Sequence, residues 1–124
     1  MSAIKYTADH EWLRPETDGT VTIGITAYAA GELGDIVFVQ LPDVGSRFRT
    51  GEEAVVIESV KAAADIKMPV SGEVVAINDA LSGAPETVNN DPMNAGWFMK
   101  IRPDDSEDIA ALLDQEAYEK ATGR

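Results

Sequence analysis

Two lysines stand close together in the stretch ESVKAAADIKMP, residues 58–69: Lys61 and Lys67. Lysine offers one amine, which is protonated at neutral pH when exposed and so is a poor catalytic base. It becomes a good acylation point once a partner enzyme deprotonates it. The two positions differ in their surroundings. Ile66, Met68 and Val70 alternate onto one face of a strand, which leaves Lys67 and Pro69 on the other. Lys67 is therefore expected as an outward charge that discourages edge pairing. Lys61 follows the apolar run Ala54 to Ile57, which ends at Glu58–Ser59, and precedes a second strand that starts near Ala64. That places Lys61 at or beside a hairpin tip. Its small neighbours Ala62, Ala63 and Ala64 leave room for another protein's active site to close over it.

Little else in the chain offers chemistry of its own. His10 is the single histidine. Beside Glu11 it invites an acid–base reading, but no further residue completes a triad or a metal site, so a structural role is expected. Trp12 and Trp97 read as core or groove walls. No nucleophile–base pair, phosphate loop or metal cluster appears, which makes an independent enzyme the least supported class. The chain has no cysteine, so disulfides, thiolate metal sites and a cysteine nucleophile are excluded. Any sulfur chemistry must come from a cofactor.

The formal charge is -12. Phosphate backbones and anionic membranes are bound by clustered Lys and Arg, so neither nucleic acid nor membrane is an expected partner. An acidic surface instead suits steering toward basic faces of other proteins. At 124 residues, one domain over 1–124 is expected, large enough to hold a core without staples. No apolar run approaches the ~20 residues that span a bilayer. The N-terminal MSAIKYTADHEW lacks a basic segment followed by an apolar one, and a cytoplasmic location is expected.

The elements that must hold Lys61 are mostly short strands. Glu11 to Arg14 and Thr20 to Ile25 flank the turn cluster Arg14-Pro-Glu-Thr-Asp-Gly19 and are expected to form a hairpin. Asp35 to Leu41, Glu53 to Ser59, Ala64 to Val70, Glu73 to Asn78 and Trp97 to Ile101 read as further strands, the last stopped by Pro103. Thr26 can cap a short helix over Ala27 to Leu33, with Gly34 at its end. Ser106 is expected to cap a second helix and Asp114 a third through Ala121. Leu81 to Ala95 reads as a long loop with one helical turn. Asp43-Val-Gly45 and Val70-Ser-Gly72 form a faint internal echo. Many short strands with glycine turns predict a sandwich or barrel, mainly β, with the C-terminal helices packed outside.

Six ordered blocks add to this reading: EWLR (Glu11 to Arg14), TIGIT (Thr22 to Thr26), LGDIVFVQLPDVG (Leu33 to Gly45), ESVKAAADI (Glu58 to Ile66), PVSGEVVAIND (Pro69 to Asp79) and GWFMKI (Gly96 to Ile101). Together they resemble the H-protein family of the glycine cleavage system, over nearly the whole chain. The resemblance implies a barrel-sandwich hybrid (the lipoyl/biotinyl hammerhead) and lipoate amide-linked to Lys61. It implies three catalytic partners: a pyridoxal-phosphate glycine decarboxylase, a tetrahydrofolate-dependent aminomethyltransferase and a dihydrolipoamide dehydrogenase. A lipoate ligase or lipoyl transferase would attach the arm. The chain itself would be a non-catalytic carrier. Glu11 and Asp65 match acidic positions of a groove that holds the loaded arm, and each could equally be a solvated surface carboxylate. Asp9 stands where members can have serine. Departures include Lys67-Met68, where an aromatic and a small residue are expected, Met93 in place of tyrosine, and Ala30 and Gly31 in place of longer polar side chains.

Other functions remain open at this point. Ile66-Lys67-Met68 faintly echoes a biotin-attachment tripeptide, although parity puts Lys67 away from the tip. A lipoate relay to other complexes would use the same arm. An unmodified interaction module would use no arm at all.

Overall fold

The computed structural model describes residues 4–122, without the side chain of Thr122. Met1 to Ala3 and the extreme C-terminus, where the N-terminal reading and the ends of the 1–124 domain fall, lie outside the described residues. In chain order the elements are β1 (Lys5–Tyr6), β2 (Glu11–Pro15), β3 (Val21–Ile25), α1 (Ala27–Leu33), β4 (Ile36–Gln40), β5 (Arg47–Phe48), β6 (Glu53–Ser59), β7 (Ala63–Lys67), β8 (Gly72–Ile77), α2 (Ala80–Gly83), α3 (Thr87–Asn90), β9 (Met99–Pro103), α4 (Ser106–Ala110) and α5 (Gln115–Thr122).

The strands form two antiparallel sheets. One runs β1-β2-β3-β9-β8-β5, and the other runs β4-β6-β7. Alternation decides what lies between them. Ile23, Val74, Met99 and Ile101 of the large sheet and Val39, Val55, Ile57 and Ile66 of the small one belong to a single buried cluster. Two-sheet packing with interdigitated inner faces is the expected outcome of that pattern. The large sheet is also covered on part of its outer side. Tyr6, Trp12 and Tyr118 of α5 form a second cluster there. Trp12 fits because Gly24 opposite it has no side chain: a Cβ on Gly24 would lie 2.7 Å from the indole. The indole N–H donates to the Pro92 carbonyl at 2.9 Å. Trp12 is thus core, and Trp97 packs partly buried against the same cluster.

The β2–β3 hairpin, the Thr26 cap and the Gly34 end of α1 form as the sequence predicts. Thr26 Oγ1 accepts from Ala29 N, and the Gly34 N–H donates to Ala30 O. Asp114 also caps as expected, accepting from Ala117 N at 2.8 Å. Other expectations need correction. The cap of α4 is Asp105, whose extended backbone and carboxylate serve Glu107 N, while Ser106 is the first helical residue. A carboxylate also suits the positive end of a helix. The 81–95 loop holds two short helices, α2 and α3, which bury Leu81 and Val88. Pro103 ends β9 inside the ladder, opposite Gly72, rather than stopping the strand before it. The two halves of the internal echo do not pair with each other: Gly45 N donates to Val74 O, whereas Gly72 pairs with Phe48.

Candidate functional site

The turn between β6 and β7 is closed by one side chain. Ser59 N donates to Ala62 O at 2.7 Å. Its hydroxyl accepts from Ala62 N at 3.0 Å and from Lys61 N at 3.3 Å, and donates to Ala62 O at 3.1 Å. A serine hydroxyl that satisfies nearby backbone groups is a standard way to fix a tight turn. Its consequence here is that Val60, Lys61, Ala62 and Ala63 remain exposed. The turn is also tied sideways: Val60 N donates to Asp35 O at 2.9 Å.

Asp35 belongs to the junction between α1 and β4, which Asn89 pins. Its amide donates to Gly34 O and accepts from Ile36 N, both at 2.8 Å. Gly34 has φ 78 and ψ -160, a backbone state open essentially to glycine. The Lys61 stem lies over it. A Cβ on Gly34 would stand 3.1 Å from Lys61 Cε and 3.6 Å from Cδ. Sequence reading saw Gly34 only as a helix end; its contact with Lys61 had no local signal.

A groove of about 250 Å³ is lined by Asp9, Glu11, Asp65, Ile66 and Lys67. The fold therefore brings Glu11 and Asp65 together, from β2 and β7. Their surroundings differ. Asp65 is exposed, whereas Glu11 is 3% exposed, which removes the solvated-surface reading for Glu11. Burial pushes the Glu11 carboxyl up to about 7; the Thr7 hydroxyl bond opposes this and the Asp9 charge adds to it. Thr7 Oγ1 donates to Glu11 Oε1 at 3.1 Å. Glu53 is raised as well, by its hydrogen bond and charge repulsion with Asp65, with Lys67 opposing. Asp65 lies four residues after Lys61, on strand β7 for most of that span, about 13 Å along at the usual strand rise. Lys61 is not among the groove's lining residues.

Lys67 is exposed on β7 and pairs in register with Glu53, while Ile66, Met68 and Val70 point inward, as parity predicts. Among the described residues β7 pairs only with β6, so Lys67 does sit on an edge strand. Its share in the groove was not legible in the sequence.

His10 has φ 68, a left-handed conformation uncommon outside glycine. Its Nδ1 lies 2.6 Å from the Tyr118 hydroxyl, and its ring stacks at a tilt on Tyr28, centroids 4.6 Å apart. Its carbonyl accepts from Thr26 N. These contacts give His10 a structural place between α1, α5 and the start of β2. Among the described residues, no group of three or more His, Cys, Asp or Glu side chains is placed to hold a metal ion. No described helix is long and apolar enough to cross a membrane.

Residues 4–124 match the family model for the glycine cleavage H-protein. The chain is 58% identical to a glycine cleavage system H protein of Saccharophagus degradans, over 97% of this chain and 92% of that one. It is 55% identical to glycine cleavage system H protein 1 of Pseudomonas putida, over 97% and 94%. The crystal structure of a glycine cleavage system H protein from Mycobacterium marinum superposes with a TM-score of 0.88 at 38% identity, covering 100% of this chain and 99% of that one. The two-sheet architecture, the serine-locked lysine turn and these likenesses lead to one assignment: the chain belongs to the glycine cleavage H-protein family.

Proposed function

We propose that this single-domain chain is the lipoyl carrier of a glycine cleavage system, acting in the cytoplasm, with lipoate amide-linked to Lys61. The observation that carries the attachment reading is the turn itself. A lysine amine on an exposed bend, held by Ser59 and flanked by Ala62 and Ala63, is accessible to an acylating enzyme without unfolding anything. Lys67 suits that role less, because it lies at the end of β7 away from the turn, opposite Glu53 with Met68 buried beside it.

Lipoate held on Lys61 would supply the dithiol that the cysteine-free chain lacks, a carrier for an aminomethyl group between the decarboxylase and the aminomethyltransferase and for reducing equivalents to the dehydrogenase. The chain's own residues do simpler work. Ser59 and Gly34 hold the attachment point. In the groove the carboxyl groups of Asp9, Glu11 and Asp65 outnumber the one cation, Lys67, which favours a cationic amine, and a contact with the buried Glu11 would draw that amine out of water. Tethering keeps the cargo at high effective concentration for each partner in turn.

Intact mass and peptide mapping of protein from its native cell test this reading. A lipoyl increment on the peptide containing Lys61 is expected. An active protein with a bare Lys61, or an adduct on Lys67, would overturn it.

A further inference from the structure

Val37, Phe38 and Val60 are 55%, 45% and 68% exposed, unusual for large apolar residues on so acidic a chain. The ladder explains their common direction. Ile36 pairs with Ser59 and Phe38 with Glu58, so Val37 is an extra residue in a bulge. Two residues of β4 then oppose one of β6, and both Val37 and Phe38 are turned out of the core. Val60 lies two residues beyond Glu58, on the same outward side. Its N–H is bonded to Asp35 O, just before β4. Val37 and Phe38 on the edge strand β4, and Val60 in the β6–β7 turn, bonded to the residue just before β4, therefore form an apolar strip that runs from the sheet edge up to Lys61. Edge strands are normally protected by charge; here the outermost positions are apolar, and Asp35 and Glu58 rim them. Clustered exposed apolar surface of this kind marks a protein contact.

We propose that this strip is the docking surface for the enzyme that acylates Lys61, through an apolar face bordered by basic side chains. The proposal rests on the carrier reading of Lys61. Reach selects the occupant. The acylating enzyme must bring its reactive centre to Nζ itself, so its surface has to lie against the residues beside the turn. Enzymes that act on the distal sulfurs work an arm's length away and need not touch the strip. In the step, Nζ forms a bond to the carbonyl carbon of an activated lipoyl donor, such as the mixed anhydride of an acyl adenylate. The bond to the adenylate breaks, the nucleotide leaves with the electron pair, and the ammonium gives up two protons as it becomes an amide. The negative rim favours a positively bordered partner, and its contribution falls with added salt.

The test compares wild type, Val60→Thr and the double variant Val37→Thr/Phe38→Thr as acceptors for a lipoate–protein ligase supplied with lipoate and ATP. Threonine keeps the β-branched shape of the two valines, suits a strand at Phe38, and removes apolar surface at all three positions. Folding is checked by thermal denaturation, and Val60, on an exposed turn, gives a variant that leaves the core untouched. The expected result is a KM for acceptor raised about tenfold, the equivalent of one lost apolar contact, with kcat near wild type. Each variant is then driven to full lipoylation with excess ligase and reduced by dihydrolipoamide dehydrogenase with NADH, where wild-type rates are expected. An unchanged KM overturns the strip. So does an equal loss in both assays, which would make it a general contact. Failure of wild type itself to be lipoylated at Lys61 removes the carrier reading, and the strip with it.

Discussion

The Tyr118 hydroxyl stands 2.6 Å from Nδ1 of His10 and 3.1 Å from Thr26 Oγ1, so one atom of α5 joins the start of β2 to the cap of α1. His10 is held in its left-handed conformation immediately before Glu11. The outer helix therefore helps to fix the backbone that carries the groove's buried carboxyl.

Tyr118→Phe keeps the ring, which stacks on Tyr6 at 4.7 Å, and removes the hydroxyl. A loss of about 1 kcal/mol is expected in denaturant unfolding. Faster amide hydrogen exchange at Glu11 and Trp12, with exchange in β6 unchanged, would place the effect at this junction rather than in the whole fold.

Glu11 gives a pH dependence with a definite sign. Its folded pKa is raised to about 7 from 4.5, so the native state holds a proton that the unfolded chain has released between those values. Stability contributed by this group is complete below pH 4.5 and declines as pH rises through 7. Glu11→Gln mimics the protonated form. It should leave stability nearly unchanged at pH 4 and raise it at pH 8 by an amount on the order of 3 kcal/mol. The pH dependence of the thermal midpoint checks this. On the proposed groove role, the same substitution in the loaded carrier removes the carboxyl that would face the amine, and the aminomethyl group should be lost faster. An unchanged rate of loss would take Glu11 out of that role.

Ser59→Ala deletes the hydroxyl that accepts from Lys61 N and Ala62 N. Because the turn is exposed, the stability cost should stay near 0.5–1 kcal/mol. The larger effect is expected on lipoylation, since a looser bend presents the amine in more orientations. Initial rates by intact mass, set against Ser59→Thr as a hydroxyl-retaining control, measure it.

Lys61→Arg preserves the charge and removes the acylatable amine. No lipoate should be incorporated, and the unfolding free energy should stay within about 0.5 kcal/mol of wild type, as for other exposed substitutions. Unfolding of this variant would mean that the Lys61 side chain is needed for more than attachment.

Much of this was legible in the sequence because alternation is local. Val21, Ile23 and Ile25, or Ile66, Met68 and Val70, declare their inner face within a few residues. The exposed position of Lys61 followed from the strands on either side of it. Two-residue strands such as β1 and β5 are too short to show a period. Glu11 left two readings open for a different reason. β2 is covered on both faces, by the main core at Leu13 and by the Tyr6–Trp12–Tyr118 cluster, so Glu11, Trp12 and Leu13 are all buried in succession. No alternation signals that. The Gly34–Lys61 contact joins residues distant in sequence and depends on how α1 enters β4, which local pattern does not encode. At α4, adjacent Asp105 and Ser106 are both good caps, and only the backbone turn distinguishes them.

The β6–β7 hairpin presents an apolar strip beside its tip and lends Asp65, Ile66 and Lys67 to the groove along its other edge. On the roles proposed for them, damage on the two sides would look different in a purified sample. A fault in the strip would leave a heterogeneous preparation in which some molecules never mature, yet each mature one turns over normally. A fault in the groove would leave every molecule mature and each one leaky. Counting the modified fraction separately from the turnover per modified molecule would tell which side a given variant has injured.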